Sequence, residues 1–326
     1  MRSMKHILLF GSLWMMTGCD RRAQSILDPR STEAGTISDL WWVMLILGSL
    51  VFIAVMFFTL VAVLGKSGSR PPGGSMRFIW AGGIILPAII LVGLLIYSLK
   101  ASFALSPSDA AITIEVEGVQ WWWEVRYPEH GIVTANEIHV PAGEHVEFRL
   151  SARDVVHSFW IPNLHGKLDM LPGRTTTITM RAGEPGTWRG QCAEFCGTQH
   201  AWMAFEVIAH EPEDFQRWLA ERKEAMAAAR NTIGSHGEKL FFDHGCHSCH
   251  AISGTDAISN IGPDLTHLGD RRTLGAAVIP NDRGNLAGWI SDPQSMKPGN
   301  LMPATHMPPE DLHALVDHLL SLDGKP

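Results

Sequence analysis

Long apolar stretches give way along the chain to short alternating ones, and that change of rhythm divides it. Leu40 to Leu64 runs 25 residues without a charge, and Phe78 to Leu99 runs 22. Each exceeds the roughly 20 residues that cross a bilayer. Residues 35–104 are therefore expected to form a transmembrane hairpin, with helices at about 40–64 and 78–99. Pro87 lies inside the second and is expected to kink it, which a membrane helix tolerates. The segment Gly65 to Arg77 carries Lys66, Arg70 and Arg77 and no acidic residue. The positive-inside rule puts it on the cytoplasmic side and both termini outside. Gly48, Ala54, Gly82, Gly83 and Gly93 allow the helices to approach closely. Neither apolar run contains a histidine or a charged residue, so no site needing histidine ligands is expected within the bilayer.

From 107 to 210 the pattern shortens. Ile112 to Glu117, Glu137 to Pro141, His145 to Leu150 and Thr175 to Met180 read as strands, separated by turns at Gly131, Pro141-Ala-Gly143 and Leu171-Pro-Gly173. Such spacing implies a β-sandwich or barrel. Gln120-Trp121-Trp122-Trp123 reads as one more strand, with alternate rings on opposite faces. Glu211 to Asn231 is polar except for Phe215, Trp218 and Leu219, which suits a helical linker over 211–233. The remainder, 234–326, is a small domain ending in a helix at about Pro309 to Leu320, with Met307-Pro-Pro at its start.

Composition narrows the function. The net charge of -7 excludes a basic nucleic-acid-binding surface. The five cysteines can all be assigned without a structural disulfide. Residues 1–18 read as a signal peptide, with positive charge over Met1 to Lys5 and a short apolar core from Ile7 to Met16. Met16-Thr-Gly-Cys19 is similar to a bacterial lipoprotein cleavage box, which would place a lipid on Cys19. An ordinary signal followed by a free thiol is the alternative.

Two chemical motifs remain. Cys192-Ala-Glu-Phe-Cys196-Gly-Thr-Gln-His200-Ala-Trp-Met203 gathers soft sulfur and imidazole donors of the kind that suit copper. Further on, Cys246-His-Ser-Cys249-His250 is the c-type haem attachment pattern, with His250 as an iron ligand. A zinc site would want further cysteines. Met296, Met302 and Met307 all compete for the other face of the haem.

With His157 upstream in Val156-His-Ser-Phe-Trp-Ile-Pro162, these residues resemble subunit II of the haem–copper oxidases, the cytochrome c oxidase type with a fused cytochrome c. The resemblance implies a multidomain membrane protein: a transmembrane hairpin, an all-β Greek-key cupredoxin domain and an all-α class I cytochrome c domain. It implies a dinuclear copper A centre bridged by Cys192 and Cys196, with His157, His200 and Met203 as terminal ligands and the Glu194 carbonyl as a further donor. It gives the Glu194 carboxylate a magnesium ion shared with subunit I, and Trp121 the reception of electrons. Cys246 and Cys249 would carry haem c, with His250 and, from the match of Lys297-Pro-Gly-Asn-Leu-Met302-Pro, Met302 on the iron. Ile261-Gly-Pro-Asp-Leu265 resembles the segment whose proline carbonyl supports the proximal histidine.

The implied partners are subunits I and III, membrane lipid, and a cytochrome c or quinol–cytochrome c reductase as donor. The implied location is the bacterial inner membrane, with the redox domains on the periplasmic face. Oxygen reduction and proton pumping would belong to subunit I. A copper-A subunit of a nitric oxide reductase and a copper-handling protein are the rival readings. One departure from the family is the absence of any Asp or Glu from Gly65 to Leu99, so a proton route through a carboxylate there is not expected.

Overall fold

The first helix begins before its apolar run. In the computed structural model, which describes residues 24–65, 76–105, 110–228 and 234–323, α1 spans Thr32–Leu64 rather than 40–64. Ser31 caps it by accepting from the Ala34 N–H, and its hydroxyl donates to the Leu164 carbonyl. Arg30 N–H donates to Asn163 O at 2.7 Å, and Gly183 N–H donates to Arg30 O at 2.9 Å. Glu33 is buried against His145 at 3.3 Å. The polar first turns therefore face protein rather than lipid, which is why hydropathy alone stops short of them.

The second helix, α2, runs from Met76 to Ala104 and also exceeds its apolar run. Where a kink at Pro87 was expected, the turn just before it widens: Ala81–Ile85 is π-helical, and the Leu86 N–H reaches Ala81 O. Proline has no N–H and its ring crowds the carbonyl four residues back; the wider turn relieves both. At 33 and 29 residues, the helices reach about 50 and 43 Å, enough to cross the ~30 Å apolar core with turns to spare. The leader with Cys19, and Lys66 and Arg70, lie outside the described residues.

Ten strands follow: β1 Ile112–Val119, β2 Trp122–Tyr127, β3 Ile132–Ala135, β4 Glu137–Pro141, β5 Val146–Ala152, β6 His157–Trp160, β7 Leu168–Met170, β8 Thr176–Met180, β9 Gly186–Cys192 and β10 Ala204–His210. They form two five-stranded sheets, ordered β3-β2-β1-β5-β8 and β4-β10-β9-β6-β7. The pairs β1–β5 and β4–β10 are parallel, so the chain crosses between sheets as a Greek-key sandwich requires. Alternation sets the core: Ile112, Ile114 and Val116 of β1 point inward with Phe148 and Leu150 of β5. Trp123 is fully buried, edge-on to Phe205 at 4.9 Å between ring centroids.

The tryptophan run is not one strand. β1 ends at Val119 and β2 starts at Trp122, so Gln120 and Trp121 form the hairpin turn between them. Val119 pairs with Trp122, which closes the ladder there. Helix α3, Pro212–Ala228, does more than link: Phe215, Trp218 and Leu219 join the β-sandwich core.

The last domain is helical. It contains α4 His236–Asp243, α5 Arg283–Ser291, the short α6 Pro293–Met296 and α7 Pro309–Leu320, with a small hairpin of β11 Thr273–Leu274 and β12 Ile279–Pro280. Phe241, Leu286, Ile290, Leu315, Val316 and Leu319 form its separate core.

Candidate metal centres

The β-sandwich brings His157 and the segment from Cys192 to Met203 together at one end. His157 opens β6 and Cys192 closes β9, and the antiparallel register pairs Phe159 with Cys192. The loop leaving Cys192 returns to the same place, since the Cys192 N–H donates to Met203 O at 2.9 Å. Within that loop Gly197, at φ 112, makes the reversal that only glycine adopts easily. A one-turn 3-10 helix over His200–Trp202 then presents His200.

The predicted copper donors converge. The Cys192 and Cys196 sulfurs are 3.7 Å apart, far beyond a disulfide bond of ~2.05 Å. His157 Nδ1 lies 3.8 Å from the Cys192 sulfur and His200 Nδ1 3.7 Å from that of Cys196. Met203 Sδ is 3.8 Å from Cys196, and the Glu194 carbonyl is 3.1 Å from Cys192. His157, Cys192, Cys196 and Met203 are buried. Two sulfurs held apart, each faced by an imidazole nitrogen, fit soft-metal ligation well.

The protonation state of the thiols agrees. Hydrogen bonding from Cys196, and then from His157, holds Cys192 down to about 3. Cys196 is raised, chiefly because it shares its proton with Cys192. Burial lowers the affinity of His157 for a proton, but bonds to Cys192 and Asp154 outweigh it and the net shift is upward. A metal binding here would displace a proton from this cluster.

Several supporting residues escaped the sequence reading. His157 Nε2 donates to Asp154 Oδ1 at 2.9 Å, which turns Nδ1 toward the sulfurs. The signal was available, as a carboxylate three residues before a candidate ligand. Gly118 backs the same imidazole: a Cβ there would come within 2.8 Å of the His157 ring. Gln120 Nε2 and Trp121 Nε1 both donate to the Cys196 carbonyl, at 2.8 and 2.9 Å. Those contacts span 76 and 75 residues, and only the fold could reveal them. The Glu194 carboxylate points outward, about half exposed, 3.4 Å from Lys167 Nζ.

The second site is a cavity. Cys246, Cys249, His250 and Met302 all line it, on walls that are otherwise mainly apolar. All three candidate methionines pack against the domain core, but Met296 and Met307 are not among the residues lining the cavity. His250 Nδ1 donates to Pro263 O at 2.7 Å, leaving Nε2 free. Gly262 stands behind that ring, where a Cβ would approach within 2.6 Å. Burial holds the His250 imidazole below its usual proton affinity.

Two buried cations complete the cavity and were also missed. Arg271 is buried and its Nε has no hydrogen-bond partner among the described residues. Lys297 donates to Gly275 O at 2.8 Å and is pushed down to about 8 by burial. The Arg271 guanidinium donates to the Asp264 carbonyl, and its unpartnered Nε in a mainly apolar wall suits a further acceptor, which a haem carboxylate would provide. The cavity's residues therefore fit the group that the attachment motif implies.

Trp121 connects the two sites. It lines the cavity beside Cys246 and Cys249 and donates to the Cys196 carbonyl. The sequence reading gave Trp121 the reception of electrons, and the chain's own last domain lies over it.

Comparison with known proteins places both halves. Residues 131–210 match the family Cytochrome C oxidase subunit II, periplasmic domain, and residues 235–323 match the family Cytochrome c. The chain is 34% identical to cytochrome c oxidase subunit 2 of Alkalihalophilus pseudofirmus, covering 94% of this chain and 93% of that one. It is 31% identical to the Bacillus subtilis protein of the same name, over 95% of each. The periplasmic domain of subunit II of cytochrome oxidase from Bradyrhizobium japonicum covers 36% of this chain at 29% identity, with a TM-score of 0.35.

Proposed function

The chain belongs to the cytochrome c oxidase subunit 2 family, and from that premise we propose that it is the electron-input subunit of a terminal oxidase. Electrons from a cytochrome c or a quinol–cytochrome c reductase would reach haem c on Cys246, Cys249, His250 and Met302, then copper A, then subunit I. The observation that carries this reading is the convergence of both Cys192 and Cys196 sulfurs with His157, His200 and Met203 at one end of the sandwich.

Each group has a defined task in that reading. Haem and copper would supply reversible one-electron chemistry, and the residues around them fix orientation and environment. Asp154 and the Pro263 carbonyl hold the two imidazoles by their outer nitrogens. Trp121 offers an aromatic bridge, hydrogen-bonded to a candidate ligand's own carbonyl. Met302 on the iron would favour the reduced state and raise the potential. The two apolar helices anchor the chain in a membrane, for which we propose the bacterial inner membrane, with lipid on Cys19 as a second anchor. Subunit III is proposed to complete the complex. The outward Glu194 carboxylate, now facing Lys167, is proposed to meet magnesium at the seam with subunit I.

Metal analysis and electron paramagnetic resonance of the purified oxidase test this. A multiline copper signal from one electron shared by two coppers, beside one low-spin haem c per chain, is expected. Cys196→Ser should abolish the shared-electron signal while leaving the haem spectrum. Mononuclear copper in the parent protein would overturn the reading.

A further inference from the structure

The outer face of the sheet β4-β10-β9 carries a row of polar residues whose partners all belong to the haem domain. Register places Glu137 beside Glu206, and Glu206 beside Arg189, across the three strands. Thr187, two residues before Arg189 on β9, shares that face. The β11–β12 hairpin lies over this row. Glu137 is only 2% exposed, and its Oε1 accepts from the Arg272 N–H at 2.7 Å, the Thr273 N–H at 3.0 Å and the Thr273 hydroxyl at 3.2 Å. The Arg272 guanidinium donates to Thr187 Oγ1 at 2.8 Å and lies 3.8 Å from Glu206. Arg189 donates to Ala277 O at 2.6 Å, at the hairpin tip, where Gly275, Ala276 and Ala277 all have positive φ.

We propose that Glu137 is a positioning residue that locks the haem domain onto the copper domain, so that the haem domain works as a seated module and not as a swinging tether. A buried carboxylate is costly unless its bonds are satisfied, and here its hydrogen bonds cross the seam. The lock acts on the redox junction because the same two bodies meet there. Gln199 donates to Pro298 O, and a Cβ on Gly299 would come within 3.0 Å of Thr198. Those contacts set the Met302 loop against the loop of Cys196 and His200. With the hairpin seated, Trp121 is covered, and an external donor meets haem before copper.

This inference rests on the relay reading for its consequence but not for its geometry, and the test separates the two. Hydrogen exchange on the intact oxidase would follow peptides holding Arg272 and Thr273. In the parent protein these amides should be protected to a degree comparable with the β5 core around Phe148. Glu137→Ala should speed their exchange roughly tenfold or more, as loss of a buried acceptor does, and E137Q, which keeps an acceptor oxygen, should restore much of the protection. Laser-triggered haem-to-copper transfer should slow in E137A, with copper content and haem absorbance unchanged. Loop-like exchange of these amides in the parent protein overturns the lock, even if E137A fails to assemble. Unchanged protection in E137A overturns it as well. Absence of the two-copper signal would instead defeat the relay reading, while amide protection still decides the lock.

Discussion

The candidate copper site and the candidate haem site hold their imidazoles by the same device and complete themselves by different ones. In each, a glycine backs the ring at a distance no Cβ could share, Gly118 behind His157 and Gly262 behind His250. In each, an oxygen acceptor fixes the outer nitrogen. The copper donors then come from one sheet end and its loop, and their atoms already lie within 3.7 to 3.8 Å of a neighbour. The candidate haem residues instead stand around a cavity, and its buried Arg271 lacks a partner for Nε among the described residues. A small metal cluster asks the protein to hold donors close together. A large flat cofactor asks it to leave a shaped space.

Methionine substitution should break the comparison most sharply. Met302→Leu is expected to lower the haem potential by on the order of 100 mV, since axial ligands govern much of the range, and redox titration would read it. Met307→Leu, at a partly buried position packed against the core and not lining the cavity, should leave the potential unchanged and cost less than about 1.5 kcal/mol of stability. Equal shifts in the two variants would remove Met302 from the iron.

A smaller effect is expected at the copper site. Asp154→Asn weakens the acceptor that orients His157, and loss of such a partner typically costs about 10- to 100-fold in metal affinity. Competition with a copper chelator would measure it, and the haem spectrum should not change. Unaltered affinity would mean that the Cys192 bond alone aligns His157.

The smallest effect is a pH slope. Burial, reinforced by Arg222 and Arg271, holds His267 down to about 3, against an ordinary value near 6.5. Between those limits the unfolded chain binds the extra proton, so stability should rise with pH through this window and fall as the solution is acidified. The contribution is at most about 1.4 kcal/mol per pH unit. Urea midpoints of the parent chain and His267→Gln at pH 7 and 4.5 would test it, with a shallower slope expected in the variant.

Local rules made much of this protein legible from its sequence. Apolar run length found both membrane helices, period-two alternation found β1, β4, β5 and β8, and proline after Met307 marked the start of α7 at Pro309. The candidate donors Cys192 to Met203 and Cys246 to His250 stood out in the sequence because soft-metal and haem-attachment chemistry groups such residues within a short segment, and the fold brings His157 to the first group from 35 residues away. Tertiary structure decided the rest. Thr32 to Asp39 became helix because the Ser31 cap and Glu33 meet the β domain. Trp121 fell in a turn because the β1–β2 ladder closes at Val119 and Trp122. Gly118, Gln120, Arg271 and Glu137 gained their roles from neighbours on other strands or in another domain. No period or short motif encodes such contacts; they arise when burial brings distant polar groups together and each must find a partner.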